Sequence, residues 1–443
     1  MVNRILVAAL VAGLLLAAAA YGADAKDGAE SPATKPAYVP TPTEKKFIET
    51  QINRLIAGGA EERWDAVIEL ANIGPAAEAA IPALVAALGD KDGDVRINAA
   101  EALGNLGSAA VPALLKALKD EDKEVVRAAV EVLGDSGDGR AVKPILDILK
   151  ARKDDDLTAE AIGALGCLKA GEAAEPLIAI LADKKSPEDW RHRAADALGG
   201  IGDKRAVPVL KGTLTEGDDY LKTASAESLA ELGDEEGVKA VLRIMKEGPS
   251  AKRCKMIWAL ARVGGVRNAK YVPNLIEVLK GDGDEMCRQQ AAHALGYIGP
   301  AAKAAVPELI AAMKDASRSV RRDATGALVE IGQPRDAILG ALVGALDEKE
   351  EEASFFVAYS LLRLNCPEKA IPVFVKLLKH EQPEARRAAA KALGEAGAVA
   401  KDALGALTEA AKDADENVRT FAKIALEKIE RALKEQPASR PSK

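Results

Sequence analysis

The chain has 443 residues, enough for two or three ordinary domains or one long repetitive body. Apolar residues make up 48% but aromatics only 3%, so any core is built from Ala, Leu, Val and Ile, which favours closely spaced helices over a β-sandwich. A formal charge of −7 and a pI near 5.4 argue against a general nucleic-acid binder, which carries a basic excess.

Residues 1–25 read as an export signal. Arg4 supplies the positive start, Ile5 to Ala20 the apolar run, and Ala23-Asp24-Ala25 a cleavage site with small residues at its ends. The run is short for a membrane span, which needs about 20 apolar residues, and no cysteine near the cleavage site invites lipidation. The expected location is periplasmic or secreted, from a bacterial source, with no stable membrane insertion after cleavage; an uncleaved N-terminal anchor is the alternative. Residues 26–41 are Pro-, Ala- and polar-rich and read as a flexible linker, and 434–443 as a disordered tail. No composition break divides 42–433, so one continuous body is expected there.

The first helix is predicted to start at Pro42, because Thr41-Pro42-Thr43-Glu44 spells a capping box. Phe47, Ile48, Ile52, Leu55 and Ile56 are then expected to face inward. From there a phrase recurs, as in "DGDVRINAAEALGNLG" at 92–107 and "DEMCRQQAAHALGYIG" at 284–299. Its leucine returns at 70, 103, 133, 165, 198, 229, 260, 295, 328, 361, 393 and 426, a spacing of about 30 to 35 residues typical of helical solenoids. Apolar residues at offsets −8, −4, 0 and +3 from each leucine make one helical stripe. Asp92, Asp122, Asp154, Asp218, Asp284, Ser317 and Asp415 precede these helices as N-cap residues. Gly74, Gly107, Gly137, Gly202, Gly233, Gly264, Gly299, Gly332 and Gly397, with Asn365 in one repeat, are expected to end them in a left-handed residue. A second helix alternates with each, opened by Pro82, Pro112, Pro144, Pro176, Pro208, Pro273, Pro307 or Pro372. Such a pair cannot bury its own stripe and must stack on copies of itself. About twelve pairs at 8–10 Å spacing suggest a curved rod on the order of 100 Å long.

The order proline, acidic turn, V-R, A-A, L-G and terminal glycine, as in "PALLKALKDEDKEVVRAAVEVLG", resembles HEAT repeats, in particular the short type first described in phycobilin lyases (PBS-lyase-type). The resemblance implies an all-α, right-handed α-solenoid (α-α superhelix). The Pro-started helices would be convex and the leucine-anchored helices concave. It also implies that the basic row at offset −7 (Arg63, Arg96, Arg191, Lys222, Arg253, Arg288, Arg321, Arg386, Arg419) pairs with turn aspartates, with gaps at Thr158 and Ser354. A basic groove for an anionic ligand is the competing reading of that row.

No catalytic residue, metal site or cofactor is assigned. The three histidines, His192, His293 and His380, have no ligand-pair spacing. A HEAT-like hydroxylase holds its irons with several His-Glu pairs, and this chain has one. Cys254 and Cys287 are the best pair among the four cysteines. However, helices 8–10 Å apart exceed the roughly 7 Å Cα separation that a disulfide tolerates, so packing cysteines are expected.

On the concave face, early repeats carry small or acidic residues such as Asn98, Glu101, Asn105, Glu131 and Asp135. Later ones carry the aromatic and basic types common in interfaces. Lys255, Trp258, Arg262, Gln289, His293, Tyr297, Arg322, Phe355, Tyr359 and Arg363 form the expected partner-binding patch. The function expected is a non-catalytic, monomeric scaffold of the cell envelope that binds a protein or peptide, not nucleic acid. A phycobilin-lyase-like chaperone or enzyme handling a small molecule is the alternative.

Overall fold

The computed structural model describes residues 39–265, 267–346 and 351–435. The signal, most of the linker and the end of the tail fall outside them. The described residues are helical, with no strand among them. Twelve Pro-started or equivalent helices alternate with twelve anchor helices, each of which carries one repeat leucine. The first set is α1 (Pro42–Ala57), α3 (Ile81–Ala87), α5 (Val111–Ala117), α7 (Val142–Ala151), α9 (Ala174–Ala182), α11 (Val207–Glu216), α13 (Glu235–Glu247), α15 (Val272–Gly281), α17 (Val306–Ala312), α19 (Arg335–Ala345), α21 (Pro367–Leu377) and α23 (Leu404–Ala410). The anchor helices are α2 (Ala60–Ile73), α4 (Gly93–Leu106), α6 (Lys123–Asp135), α8 (Asp155–Cys167), α10 (Glu188–Ile201), α12 (Asp219–Glu231), α14 (Ser250–Ala261), α16 (Glu285–Ile298), α18 (Arg318–Ile331), α20 (Glu351–Arg363), α22 (Pro383–Ala396) and α24 (Glu416–Glu435). Contacts divide the chain into two units, Ile48–Val272 and a second made of Pro273–Lys443 with residues up to Phe47.

The sequence grammar is visible in the packing. Every anchor leucine from Leu70 to Leu393 is at most 1% exposed, so the stripe is the core. Leu426 departs from this: it is half-buried, and Ala425 and Ile429 beside it are buried instead. Asp154 accepts from the Leu157 N–H at 3.0 Å, and Asp92, Asp122, Asp218, Asp284 and Asp415 cap in the same manner. Ser317 stands at the N-cap without a side-chain bond. All nine repeat glycines have positive φ, as do Asn365 and Lys169, the latter filling the glycine slot after Leu165. Pro372 does not open its helix but lies inside it, because α21 starts a turn earlier with Pro367 in the first position.

The "ALG" triplet has its own physical cause. A Cβ built on Gly134 would lie 2.8 Å from the Cα of Ala164, and on Gly166 2.7 Å from that of Ala197. Gly199 meets Ser228 at 2.8 Å and Gly394 meets Ala425 at 2.9 Å. In each case the residue after one anchor leucine faces the residue before the next. At these four junctions successive anchor helices touch almost backbone to backbone, and a glycine sits opposite a small residue.

A second device locks the turns. Arg63 grips Asp90 with Nε and Nη2 at 2.7 and 2.8 Å, while its Nη1 donates to the carbonyl of Gly58. Arg288 holds Asp315 and Arg386 holds Asp413 in the same bidentate fork, each 27 residues on. The arginine beside each keeps that aspartate's carboxyl below its usual range. These rungs realise the expected ladder in part. Thr158 fills the predicted gap by bonding back to the Asp154 carbonyl, and Lys222 is exposed.

The start of α1 packs on α24. Lys428 pairs with the fully buried Glu44 at 3.0 Å, and the Thr43 hydroxyl bonds to Glu427. Arg431 donates to the Val39 carbonyl, and Phe47 meets Phe421 edge-on at 6.0 Å. The capping box forms as read, Thr41 N–H donating to Glu44 at 2.8 Å and Glu44 N–H to the Thr41 hydroxyl. The helix presents Glu44, Phe47, Ile48, Gln51 and Leu55, whereas Ile56 is 69% exposed. The buried stripe therefore starts at the cap rather than running through Ile52 and Ile56.

Leu295→Ala, at a site with no exposure, is expected to cost about 2–5 kcal/mol by chemical denaturation. A loss below about half a kcal/mol would contradict the packing of that stripe.

Candidate interaction surface

Anchor-helix residues off the buried stripe form the surface open to a partner, and the two units present it separately. In the Ile48–Val272 unit a cleft of about 520 Å³ lies between α4 and α6. The slot before the anchor leucine, filled by Ala164, Ala197 and Ser228 in the next three anchor helices, is occupied here by Val132. Gly104 has nothing within 4 Å of where its Cβ would stand, so α4 and α6 do not meet there as the next anchor helices do.

The cleft is lined on its apolar side by Ile97, Ala100, Gly104, Ala128 and Val132. Ile97 is 67% exposed, which is unusual in a chain whose large apolar residues are mostly buried. Glu101, Glu131 and Asp135 supply the acidic side. The two arginines of the lining are already engaged, Arg96 with the Asp90 carbonyl at 2.7 Å and Arg127 with Glu124 at 2.7 Å. Burial raises the carboxyls of Glu101 and Asp135, and also that of Glu160 on the next anchor helix. Cys167 shares a hydrogen bond with Asp135, and its thiol is pushed up by burial.

Further along the same unit the polar groups are closed on one another. Lys255 lies 3.1 Å from both Asp196 and Glu227 and sits over the ring of Tyr220, whose hydroxyl donates to Asp196 at 2.7 Å. Burial opposes the Lys255 ammonium, but Glu227 and Asp196 outweigh it and raise its pKa. Burial and Asp196 push Tyr220 up to about 12. Arg262 approaches Glu231 at 2.6 Å, a charge contact without good hydrogen-bond alignment, and burial still pushes the Glu231 carboxyl up to about 7. Lys255 and Arg262, expected to face a partner, thus neutralise buried acids. Trp258 between them is half-buried.

In the other unit, Gln289 and Arg322 converge on the buried Asp323, each at 2.9 Å. Arg363 pairs with Glu330 at 2.8 Å. Phe355 is half-buried and packs edge-on against the fully buried Phe374 at 5.4 Å, so one edge of its ring is committed to the core. His293, Tyr297 and Tyr359 are half-buried, and burial raises the Tyr359 phenol. Much of the basic half of the expected patch is therefore committed to intramolecular pairs. The cleft at α4 and α6 was missed because its residues are unremarkable as types. The signal was the valine in a slot that is alanine or serine in every later repeat.

His192 is less exposed than its position suggests, stacked on Tyr220 at 4.3 Å with Nε2 3.1 Å from Asp218. Glu188, His192 and Asp218 lie close enough to share a metal ion, but the His–Asp separation is that of a plain hydrogen bond. Cys167 and Cys366 are free, whereas Cys254 and Cys287 are both disulfide-bonded rather than simple packing residues.

The family profile described as HEAT repeats matches residues 52–111, 81–166, 174–261, 241–329, 272–353 and 341–427. No curated protein matches the chain. Similar solved structures include an engineered protein, 22% identical, covering 87% of this chain and 99% of that one, with a TM-score of 0.28. The complex of CpcE and CpcF of phycocyanin lyase from Nostoc is 24% identical over 59% of this chain and 92% of that one, with a TM-score of 0.35. The karyopherin Kap121p, bound to the extreme C-terminus of the phosphatase Cdc14p, is 13% identical over 95% and 54%, with a TM-score of 0.40. At these identities the likeness concerns the fold alone.

A carboxyl whose folded pKa stands above its unfolded value of about 4.3 makes the folded state bind more protons between the two, so stability falls as pH rises through that window. Wild type is expected to melt at lower temperature as pH rises from about 5 to about 7, and Glu231→Gln to flatten the slope. An unchanged slope in scanning calorimetry of the variant would contradict the burial of that acid.

Proposed function

Because the chain belongs to the HEAT repeat family, whose solenoids commonly serve as protein-interaction scaffolds, we propose that it is a non-catalytic scaffold of the cell envelope that holds a protein or peptide against its anchor helices. The observation that carries this reading is the cleft between α4 and α6, where repeat packing is relaxed and Ile97 is left 67% exposed. A solvent-facing isoleucine beside open space is costly in isolation, and covering it stabilises a complex. Trp258 in one unit, and His293, Tyr297 and Tyr359 in the other, keep enough surface to add contacts of their own. The envelope location is supported by the run from Arg4 to Ala25, with cleavage after Ala25. The disulfide-bonded state of Cys254 and Cys287 suits an oxidising compartment.

The test is affinity capture from envelope extracts with wild type, Ile97→Glu, and a Trp258→Ala, Tyr297→Ala, Tyr359→Ala triple variant. Recovery of a defined partner should fall about tenfold with Ile97→Glu, equivalent to about 1.4 kcal/mol, and less with the triple variant. Equal recovery by all three, with native helicity, would overturn the reading. Visible absorbance copurifying with wild type would favour the small-molecule alternative instead.

A further inference from the structure

The cleft between α4 and α6 has a chemistry that narrows its occupant. Its floor is aliphatic, with Ile97, Ala100, Ala128 and Val132 exposed to it in different degrees, and its wall is acidic. Among the described residues, no cation pairs with Glu101 or Glu131. Arg96 is held by the Asp90 carbonyl and Arg127 by Glu124, and the Arg127 charge reaches Glu131 without bonding to it. The acidic strip continues onto α8, where Glu160 has Arg193 no nearer than 3.7 Å. A ligand that leaves water here must cover aliphatic carbon and bring positive charge within a few ångströms of it. Lysine and arginine side chains do both, since their stems pack on apolar surface while their heads stay polar.

Resting on the scaffold reading above, we propose that this cleft binds an extended, Lys- or Arg-bearing segment of a partner protein, with stems along Ile97 and Val132 and heads at Glu101, Glu131 and Asp135. The open space beside Gly104 is part of the recognition, and Val132 gives it an apolar lining.

The test is fluorescence anisotropy of the full chain with a short labelled peptide of alternating Lys and Ala, against the same peptide with Glu in place of Lys. The Lys peptide should bind and the Glu peptide should not. Glu101→Gln with Glu131→Gln should weaken binding by about tenfold or more. The same charge removed at the exposed Glu172 and Glu235 should leave it unchanged, which separates the cleft from general attraction to an acidic protein. Val132→Ala, which alters no charge, should also weaken binding by removing apolar surface for the stems. Binding should fade as salt rises, and as pH falls, because burial raises the Glu101 and Asp135 carboxyls.

Equal affinity for both peptides, no binding of either, or a double variant that binds like wild type would each overturn the inference. If the double variant binds the Lys peptide normally while Ile97→Glu still loses the captured partner, the basic occupant is wrong and the scaffold reading stands.

Discussion

Everything in this chain rests on how near two successive anchor helices can come. Where the residue after one leucine is glycine and the residue before the next is alanine or serine, backbones meet at distances that exclude a Cβ. A buried helix face poor in aromatics can gain cohesion only through such proximity, because each small side chain brings few atoms and many must touch. Low aromatic content, abundant alanine and the recurring "ALG" are three expressions of that constraint. The leucines, caps and arginine forks then hold one register of the stack.

The cleft lies where that close approach is absent. Between α4 and α6, with Val132 in the slot before the leucine, Gly104 faces open space and Ile97 is exposed. Local departures from a regular pattern tend to coincide with function. Here the departure comes with both a shape and a wall rich in carboxylates. Elsewhere on the same face acids are met by Lys255 and Arg262, and the surface is closed by its own ion pairs.

Much of the fold was legible from sequence because its determinants are local. A glycine that ends a helix, an aspartate that caps one and a leucine at helical spacing need no knowledge of distant residues, and Gly299, Asp154 and Leu295 behave as read. What was not legible depends on partners far along the chain. Nothing near Glu44 announces Lys428, and Phe47 does not name Phe421. The side-chain types at Lys255, Arg322 and Arg363 suggested an interface, yet their meaning is set by the acids they meet, Glu227 and Glu330 on the preceding repeats and Asp323 beside Arg322. Composition of a ridge reports what could bind, while pairing decides what is left to bind.

The most direct test of helix proximity compares one substitution in two equivalent slots by thermal and chemical denaturation. Gly166→Ala drives a Cβ into the backbone of Ala197 and should destabilise by about 1–3 kcal/mol. Gly104→Ala enters open space and should be neutral or stabilising by up to about 1 kcal/mol, since alanine is the better helix former. Equal effects at the two positions, or a stabilised Gly166→Ala, would contradict the account.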